Sequence, residues 1–448
     1  MVSNQELTID MITEEALIIL KNKLGLGNRC IRDLDTKFGV EGAKIGDNLR
    51  IRVPARYTTT TGPAPSQTAF TETFKDIAAQ TQRNVLLSFG SKEMALAVDE
   101  FSERVLEPAI VQLASDIDTD GTTTATVGYT ITNSGFVTAN YAGNYAGFMG
   151  LSTPGQQIGG LPAQWTGNTV GQSTIGTPGA PPQSNAGSTF FNAKAVLDGQ
   201  AAPGTERYCV VSPLASASLA QNLFVNFNPQ TAISDLFEDG QISGRFAGAT
   251  FYESPSVQQF TSGSRVSVGA SVLVASNAGD TTLAIANVGD NATVVSGDQF
   301  CVANIFAVNP ITRQSTGQLM TFTAVGAATA NATGAVVVSV YPAIANSGAF
   351  QTVTALPGAG ANVTFLGAAS TQTTANFMYQ KNAIALAVAP LSEDLDGAKV
   401  SRAMSEDDGL SLRFVSQYQS LTDQLVKRLD ILYGWAVVRP ELGVLIKG

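Results

Sequence analysis

Several groups of residues in this 448-residue chain have the types and spacing for chemistry. Asp116, Asp118, Asp120 and Gly121 match the first half of a calcium-binding loop, in which alternate carboxylates converge on one cation and a glycine makes the sharp turn. The position where a bidentate glutamate must close the shell is Val127, and no exiting helix follows. An Asp-rich, frayed helix end is therefore the expectation. Two acidic clusters, Glu393-Asp394-Asp396 and Glu406-Asp407-Asp408, could supply the paired carboxylates of glycoside hydrolysis. Both sit in Ser- and Gly-containing loops with nothing to raise one carboxyl pKa selectively, so solvated turns are expected. Cys30, Cys209 and Cys301 are far apart with no C-x-x-C spacing, which predicts buried free thiols. The chain has no histidine, which removes the commonest general base, the commonest metal ligand and every Ser-His or Cys-His pair. No G-x-x-x-x-G-K-[ST] phosphate cradle occurs. No catalytic residue, cofactor or metal is expected, and the chain reads as a non-enzyme.

The chemistry being sparse, the weight falls on the elements. Charged residues are 14% of the chain, well below the usual quarter, and Gly, Ala, Thr, Ser and Val dominate. A surface of small neutral residues has little charge to hold copies apart, which suits a subunit packed against its own kind. The net charge of -10 is opposite to the basic stripe of a sequence-specific nucleic-acid reader. The apolar runs Leu17 to Leu20 and Ala383 to Leu391 are too short for a signal core or a bilayer span, so a soluble protein made in a cytoplasm, with no membrane partner, is expected. At this length two or three domains are expected.

Residues 3–24 predict an amphipathic helix, with Ser3 at its start and Ile9, Ile12, Ala16 and Ile19 on one face. The strand Leu49 to Tyr57 alternates Ile51 and Val53 with Arg50 and Arg52, and a turn-rich tip at Gly62-Pro63 leads to a second extended run, Phe70 to Phe89. Together these predict a long hairpin that cannot support itself in water and must lie on a neighbouring molecule, with Arg50, Arg52 and Arg56 available to acidic patches. A helix follows from Val98 to Ile117, carrying Leu106, Ile110, Leu113 and Ile117 on one face.

Gly121 to Ala193 and Gln314 to Gln380 contain no charged residue and predict short strands with many turns. Between them Phe190 to Leu197, Tyr208 to Val211 and Leu214 to Phe224 alternate helix, strand and helix. Residues 257–376 read as an all-β barrel or sandwich, with strands at Arg265 to Ala275, Thr281 to Ala286, Gln299 to Val308, Gln318 to Val325 and Ala335 to Tyr341. FMYQKNAIALAVAPL, from Phe377, reads as one further strand. The last stretch, LDILYGWAVVRPELGVLIKG, is an alternating strand with Leu429, Ile431, Tyr433, Trp435 and Val437 on one side, stopped by Arg439-Pro440.

That closing segment, together with DEFSERVLEPAIVQLASDID (Asp99 to Asp118) and Tyr208 to Phe224, resembles the major capsid proteins of tailed bacteriophages with the Hong Kong 97 fold, in the podovirus subtype. The resemblance implies an α+β fold with these parts: N-terminal arm 1–46, extended hairpin loop 47–90, spine helix 91–120, an uncharged β/loop insertion 121–187, an axial α/β domain 188–256, an inserted all-β domain 257–376, and a return to the axial and peripheral domains over 377–448. It implies a shell protein that assembles in the host cytoplasm into pentons and hexons of itself around a scaffolding protein and a portal. The shell then expands and encloses double-stranded DNA without reading its sequence, leaving room for a cementing protein. Ile9, Ile12, Arg50, Arg52, Arg56, Pro63, Phe70, Phe74, Trp435 and Arg439 are the expected inter-subunit contacts. The alternative is a β-rich surface or adhesin-type protein, which the composition also fits.

Overall fold

The computed structural model describes residues 4–32, 48–54, 56–57, 73–90, 106–126, 129–131, 137–139, 149–151, 186–217, 219, 245–257, 259–395, 397–405 and 409–447. Helices α1 (Asn4–Lys23), α2 (Glu107–Thr126) and α3 (Ala186–Gly199) precede or flank most of the strands. In chain order the principal strands are β1 (Asn48–Val53), β2 (Thr73–Ala78), β3 (Thr81–Gly90), β4 (Arg207–Val211), β5 (Ala249–Glu253), β6 (Asp280–Ala286), β7 (Gln299–Val308) and β8 (Ser315–Ala324). They continue with β9 (Val336–Ile344), β10 (Gln372–Gln380), β11 (Ile384–Ala389), β12 (Lys399–Ser405), β13 (Leu410–Gln419), β14 (Gln424–Val437) and β15 (Gly443–Lys447).

The long strand β14 organises a five-stranded sheet. Its first half pairs with β13 on one side and β3 on the other, and its second half pairs with β11. Strict alternation lets it bury both faces. Leu429, Ile431, Tyr433, Trp435 and Val437 enter the main core with α1 and α2, while Ala436 and Val438 join Leu49, Ile77 and three alanines of β11 in a second cluster. A seven-stranded sheet takes β15, β10, β4 and β5 in that order, edged by residues 149–151 and 245–246, with 259–261 added against β10. A six-stranded sheet, ordered 271–272, β6, β9, β8, β7 and 363–365, has a separate core built on Phe300, Phe322, Phe365, Val338 and Ile285. Among the described residues, no helix is long and apolar enough to cross a membrane.

Four elements differ from the sequence reading. The second hairpin run is two strands: β2 pairs with β1, and after Ala79-Gln80 β3 leaves to pair with β14. Asp116 to Gly121 is helix interior and not a frayed end, because α2 continues to Thr126 and buries Asp118 and Asp120. FMYQKNAIALAVAPL is broken by a 3-10 turn at Lys381–Ala383, which the Gln380 side chain caps, so its halves lie in different sheets. Arg265 to Ala275 is mostly irregular, with a strand only at Ser271–Val272, since Arg265 turns inward to meet Asp298. The tip at Gly62-Pro63, the start of the predicted 98–117 helix and most of 121–187 lie outside the described residues.

Candidate assembly surface

The hairpin starts from its base. Leu49 and Ile77 are buried on β11 and β14, and a Cβ at Gly434 would stand 2.0 Å from the Ala78 carbonyl oxygen. The base is thus seated on its own chain, and glycine is required where it crosses β14. Beyond the base the ribbon turns polar and aromatic groups outward. Arg50 pairs with Asp76 at 3.0 Å and its guanidinium lies 4.0 Å from the Phe74 ring centroid. Phe74 itself is 51% exposed. A cation over a ring presents a flat, partly apolar surface with a charge attached.

Arg56 has a different setting. It reaches Glu441 at 3.2 Å, Arg439 reaches the same carboxylate oxygen at 3.1 Å, and the Arg56 guanidinium faces Phe350 of the six-stranded body. Burial pulls the Lys75 pKa down, and the charge of Glu441 opposes that shift. A small cleft beside this cluster is lined by Arg56, Gln200, Met320, Tyr341, Gln351 and Glu441. Arg313 adds a hydrogen bond to the Tyr57 carbonyl. The chain leaving β1 toward the tip is therefore tied both to the turn Pro440–Leu442 and to the six-stranded body.

On α1, Ile9 and Ile12 are partly buried against the main core. The outward face carries Met11 and Ile18, exposed by 64% and 60%, which are seven residues apart and so lie two turns along one stripe. Trp435 is buried, and its indole N–H donates to the Ile117 carbonyl at 3.1 Å. Arg52 is exposed. Pro63 and Phe70 lie outside the described residues. The ten residues singled out from sequence are thus dispersed: Arg50 and Phe74 share one outward patch, Arg56 and Arg439 share Glu441, and Trp435 supports the core.

Asp118 and Asp120, which the sequence reading placed at a frayed helix end, instead form a polar cluster under the surface. Asp118 accepts from the amides of Gly25 (2.6 Å) and Gly27 (3.1 Å). Asp120 accepts from Arg83 at 2.8 Å and from the Tyr433 hydroxyl. Burial raises the Asp118 carboxyl pKa against the opposing pull of those amides, and burial followed by the Asp120 charge raises that of Tyr433. The available signal was the alternating carboxylates of the Asp-rich run 116–120, with Gly-x-Gly just after the preceding helix. Of the acidic clusters, Glu393 pairs with Arg402 at 3.2 Å, while Asp396 and residues 406–408 lie outside the described set. Among the described residues no group of His, Cys, Asp and Glu could hold a metal ion.

No curated protein matches the chain. Among solved structures the chain is similar to the capsid of the cyanophage P-SCSP1u, at 12% identity over 89% of this chain and 83% of that one, TM-score 0.39. It is similar to a chain of Mycobacterium phage Che8, at 10% identity over 94% and 90%, TM-score 0.42. A third is the satellite phage P4 procapsid solved with its size determination protein, at 8% identity over 96% and 88%, TM-score 0.38. The decisive match is the family model described as P22 coat protein, gene protein 5, which spans residues 169–448, more than half the chain. That match sets aside the adhesin-type alternative: the chain belongs to the P22 coat protein family, the major capsid proteins of tailed phages.

Proposed function

We propose that this capsid protein builds an icosahedral head in the Hong Kong 97 manner, as a scaffolded procapsid that expands around packaged DNA. In this reading α1 is the N-terminal arm and β1–β2 the extended loop. The spine helix is α2, the five-stranded sheet forms the peripheral domain, and the seven-stranded sheet forms the axial one. The six-stranded body with its own core corresponds to the inserted β domain. The procapsid solved for satellite phage P4 supports a scaffold-type partner by analogy. The portal, DNA and a cementing protein follow from the family resemblance, and an acidic chain is suited to enclosing DNA without binding its sequence.

The observation that carries the reading is the asymmetric support of the hairpin. Its base is clamped at Gly434 and in the Leu49–Ile77 cluster, while Arg50 and Phe74 turn an aromatic-cationic patch away from the chain. A neighbour covering that patch would remove apolar surface from water. Co-expression with the phage's scaffolding protein, followed by negative-stain microscopy, is the test: closed shells are expected. The doubly altered Arg50→Glu, Phe74→Ser subunit is expected to remain folded by circular dichroism and to leave shells few or absent. Normal shells from that variant would remove the hairpin from the contact, and only compact monomers from the parent chain would overturn the shell reading itself.

A further inference from the structure

Residues 24–32 leave α1 and touch three bodies within nine positions. On α2, Asp118 holds the amides of Gly25 and Gly27, and Leu26 packs with Trp435 around Gly121, where a Cβ would come within 2.7 Å of both side chains. Toward the seven-stranded sheet, Arg29 donates back to the Gly25 carbonyl at 2.8 Å and lays its guanidinium 4.3 Å from the Tyr252 ring centroid. Tyr252 on β5 is joined to Tyr379 on β10 through their hydroxyls at 3.2 Å. Toward the five-stranded sheet, Ile31 exchanges two backbone bonds with β11, its amide to the Ile384 carbonyl at 3.0 Å and the Leu386 amide to its carbonyl at 2.9 Å.

We propose that residues 24–32 are a coupling segment, seated on Asp118, through which the position of the N-terminal helix is transmitted to both sheets. The physical basis is that the segment has no regular structure of its own beyond a 3-10 turn at Gly27–Arg29. Local bonds such as those of Asn28 to the Lys21 and Leu24 carbonyls shape its turn, but its position against the two sheets is set by external partners, and a carboxylate taking two amides is a strong, directional one. Loss of that seat frees Gly25 and Gly27 and lets Arg29 leave Tyr252. The same strain reaches Ile31, two residues on, and so β11. Two packed arrangements of such a segment would be discrete and not graded, as close-packed contacts generally are. The inference goes beyond the proposed expansion and stands whether or not the shell changes size.

The test is hydrogen exchange by mass spectrometry on assembled particles of the full chain. Asp118→Asn keeps the side-chain shape but turns one accepting oxygen into a donor that faces an N–H. The expected result is exchange faster by about tenfold or more, the loss of a charge-assisted bond, in 24–32, in β11 and in β5. Strands β6 and β9 of the six-stranded body should be unchanged. Acceleration confined to 24–30, or spread equally over the whole chain, would overturn the coupling. Should Asp118→Asn yield no particles, Arg29→Met decides: it removes the stacking on Tyr252 while keeping the stem, and β5 and 24–32 must again respond together. Normal exchange in β5 with that variant overturns the link to the seven-stranded sheet. Because both variants are read as exchange within a subunit, a failure here leaves the assembly test of the hairpin untouched.

Discussion

Asp118 and Asp120 lie two residues apart on α2, both carboxylates are buried, and they serve opposite sides of the helix. A step of two residues rotates the side chain by about 200°, so Asp118 faces the loop after α1 and Asp120 faces β3 and β14. The helix is thereby gripped between the loop after α1 and the five-stranded sheet by two separate polar contacts, each made by a residue type that ordinarily avoids helix interiors.

The sheet-side contact should carry measurable stability. Asp120 meets Arg83 at 2.8 Å and also the Tyr433 hydroxyl, and the carboxylate is nearly inaccessible while Arg83 is about a third exposed. Asp120→Asn is expected to cost roughly 2–3 kcal/mol, below the full cost of breaking a buried pair because water reaches the arginine. Urea unfolding of the full-length subunit, followed by tryptophan fluorescence, measures it, and a loss under about 0.5 kcal/mol would show that Arg83 finds an equivalent partner.

What could be read in the sequence was the alternation of one face. Leu429, Ile431, Tyr433, Trp435 and Val437 stand at period two and do line the main core. The burial of Ala436 and Val438 on the reverse face was not legible, because small residues fit equally well under solvent or under a hairpin base. The segment Asp116 to Thr126 misled for a physical reason: Asp, Gly and Thr are poor helix formers in isolation. Here the aspartates and most of the threonines have a tertiary or local partner, as when the Thr122 hydroxyl donates to the Ser256 carbonyl and that of Thr124 to the Asp120 carbonyl. The break between β2 and β3 was hidden because Ala79-Gln80 carries no turn signal, and the redirection comes from β14, more than 340 positions later. The outward patch of Arg50 and Phe74 could be suspected from alternation alone, but the shared use of Glu441 by Arg56 and Arg439 could not.

Glycine at 434 is expected to be irreplaceable. An added Cβ would meet the Ala78 carbonyl oxygen at 2.0 Å, and the atoms in the way are backbone. Gly434→Ala should therefore lift the hairpin base from β14 at a cost of about 3 kcal/mol or more. Exchange of the Thr73–Ala78 amides reads the displacement directly; unaltered protection there would mean that β14 itself yields.

The thiols should be silent in the folded chain. Cys30, Cys209 and Cys301 are free and buried, and burial pushes the pKa of Cys30 up to about 12 and that of Cys301 up to about 11, with Cys209 raised well above the usual value. A raised thiol pKa keeps the unreactive protonated form, so the thiolate fraction of Cys301 at pH 8 is of order one in a thousand even before access is considered. Titration with a thiol-reactive chromophore at pH 8 should count none in native subunits and all three in urea. Rapid labelling of one thiol in the native state would mean that its surroundings open.

Arg265 and Asp298 form a fully buried ion pair in the six-stranded body, with Nη2 and Oδ1 3.0 Å apart and both side chains at 0% exposure. The arginine also donates to the carbonyls of Leu366 and Gly367 and lies over Phe365. The other oxygen of Asp298 takes the amides of Gly263 and Val295. The pair thus pins the incoming segment at 263–265 to the sheet, and its energetics depend on which partner is removed. Asp298→Asn leaves a desolvated cation without a counter-charge, and breaking a buried pair in this way costs about 3–5 kcal/mol. Combining it with Arg265→Met removes the stranded charge, while asparagine still offers one acceptor to the two amides. The double variant should therefore be more stable than Asp298→Asn alone, a coupling of at least about 1 kcal/mol in a double-mutant cycle. Amide exchange of Val336–Ile344 in the full chain gives the four stabilities needed. Simple additivity would mean that water or backbone rearrangement neutralises the lone arginine, and that the pair serves geometry without electrostatic consequence.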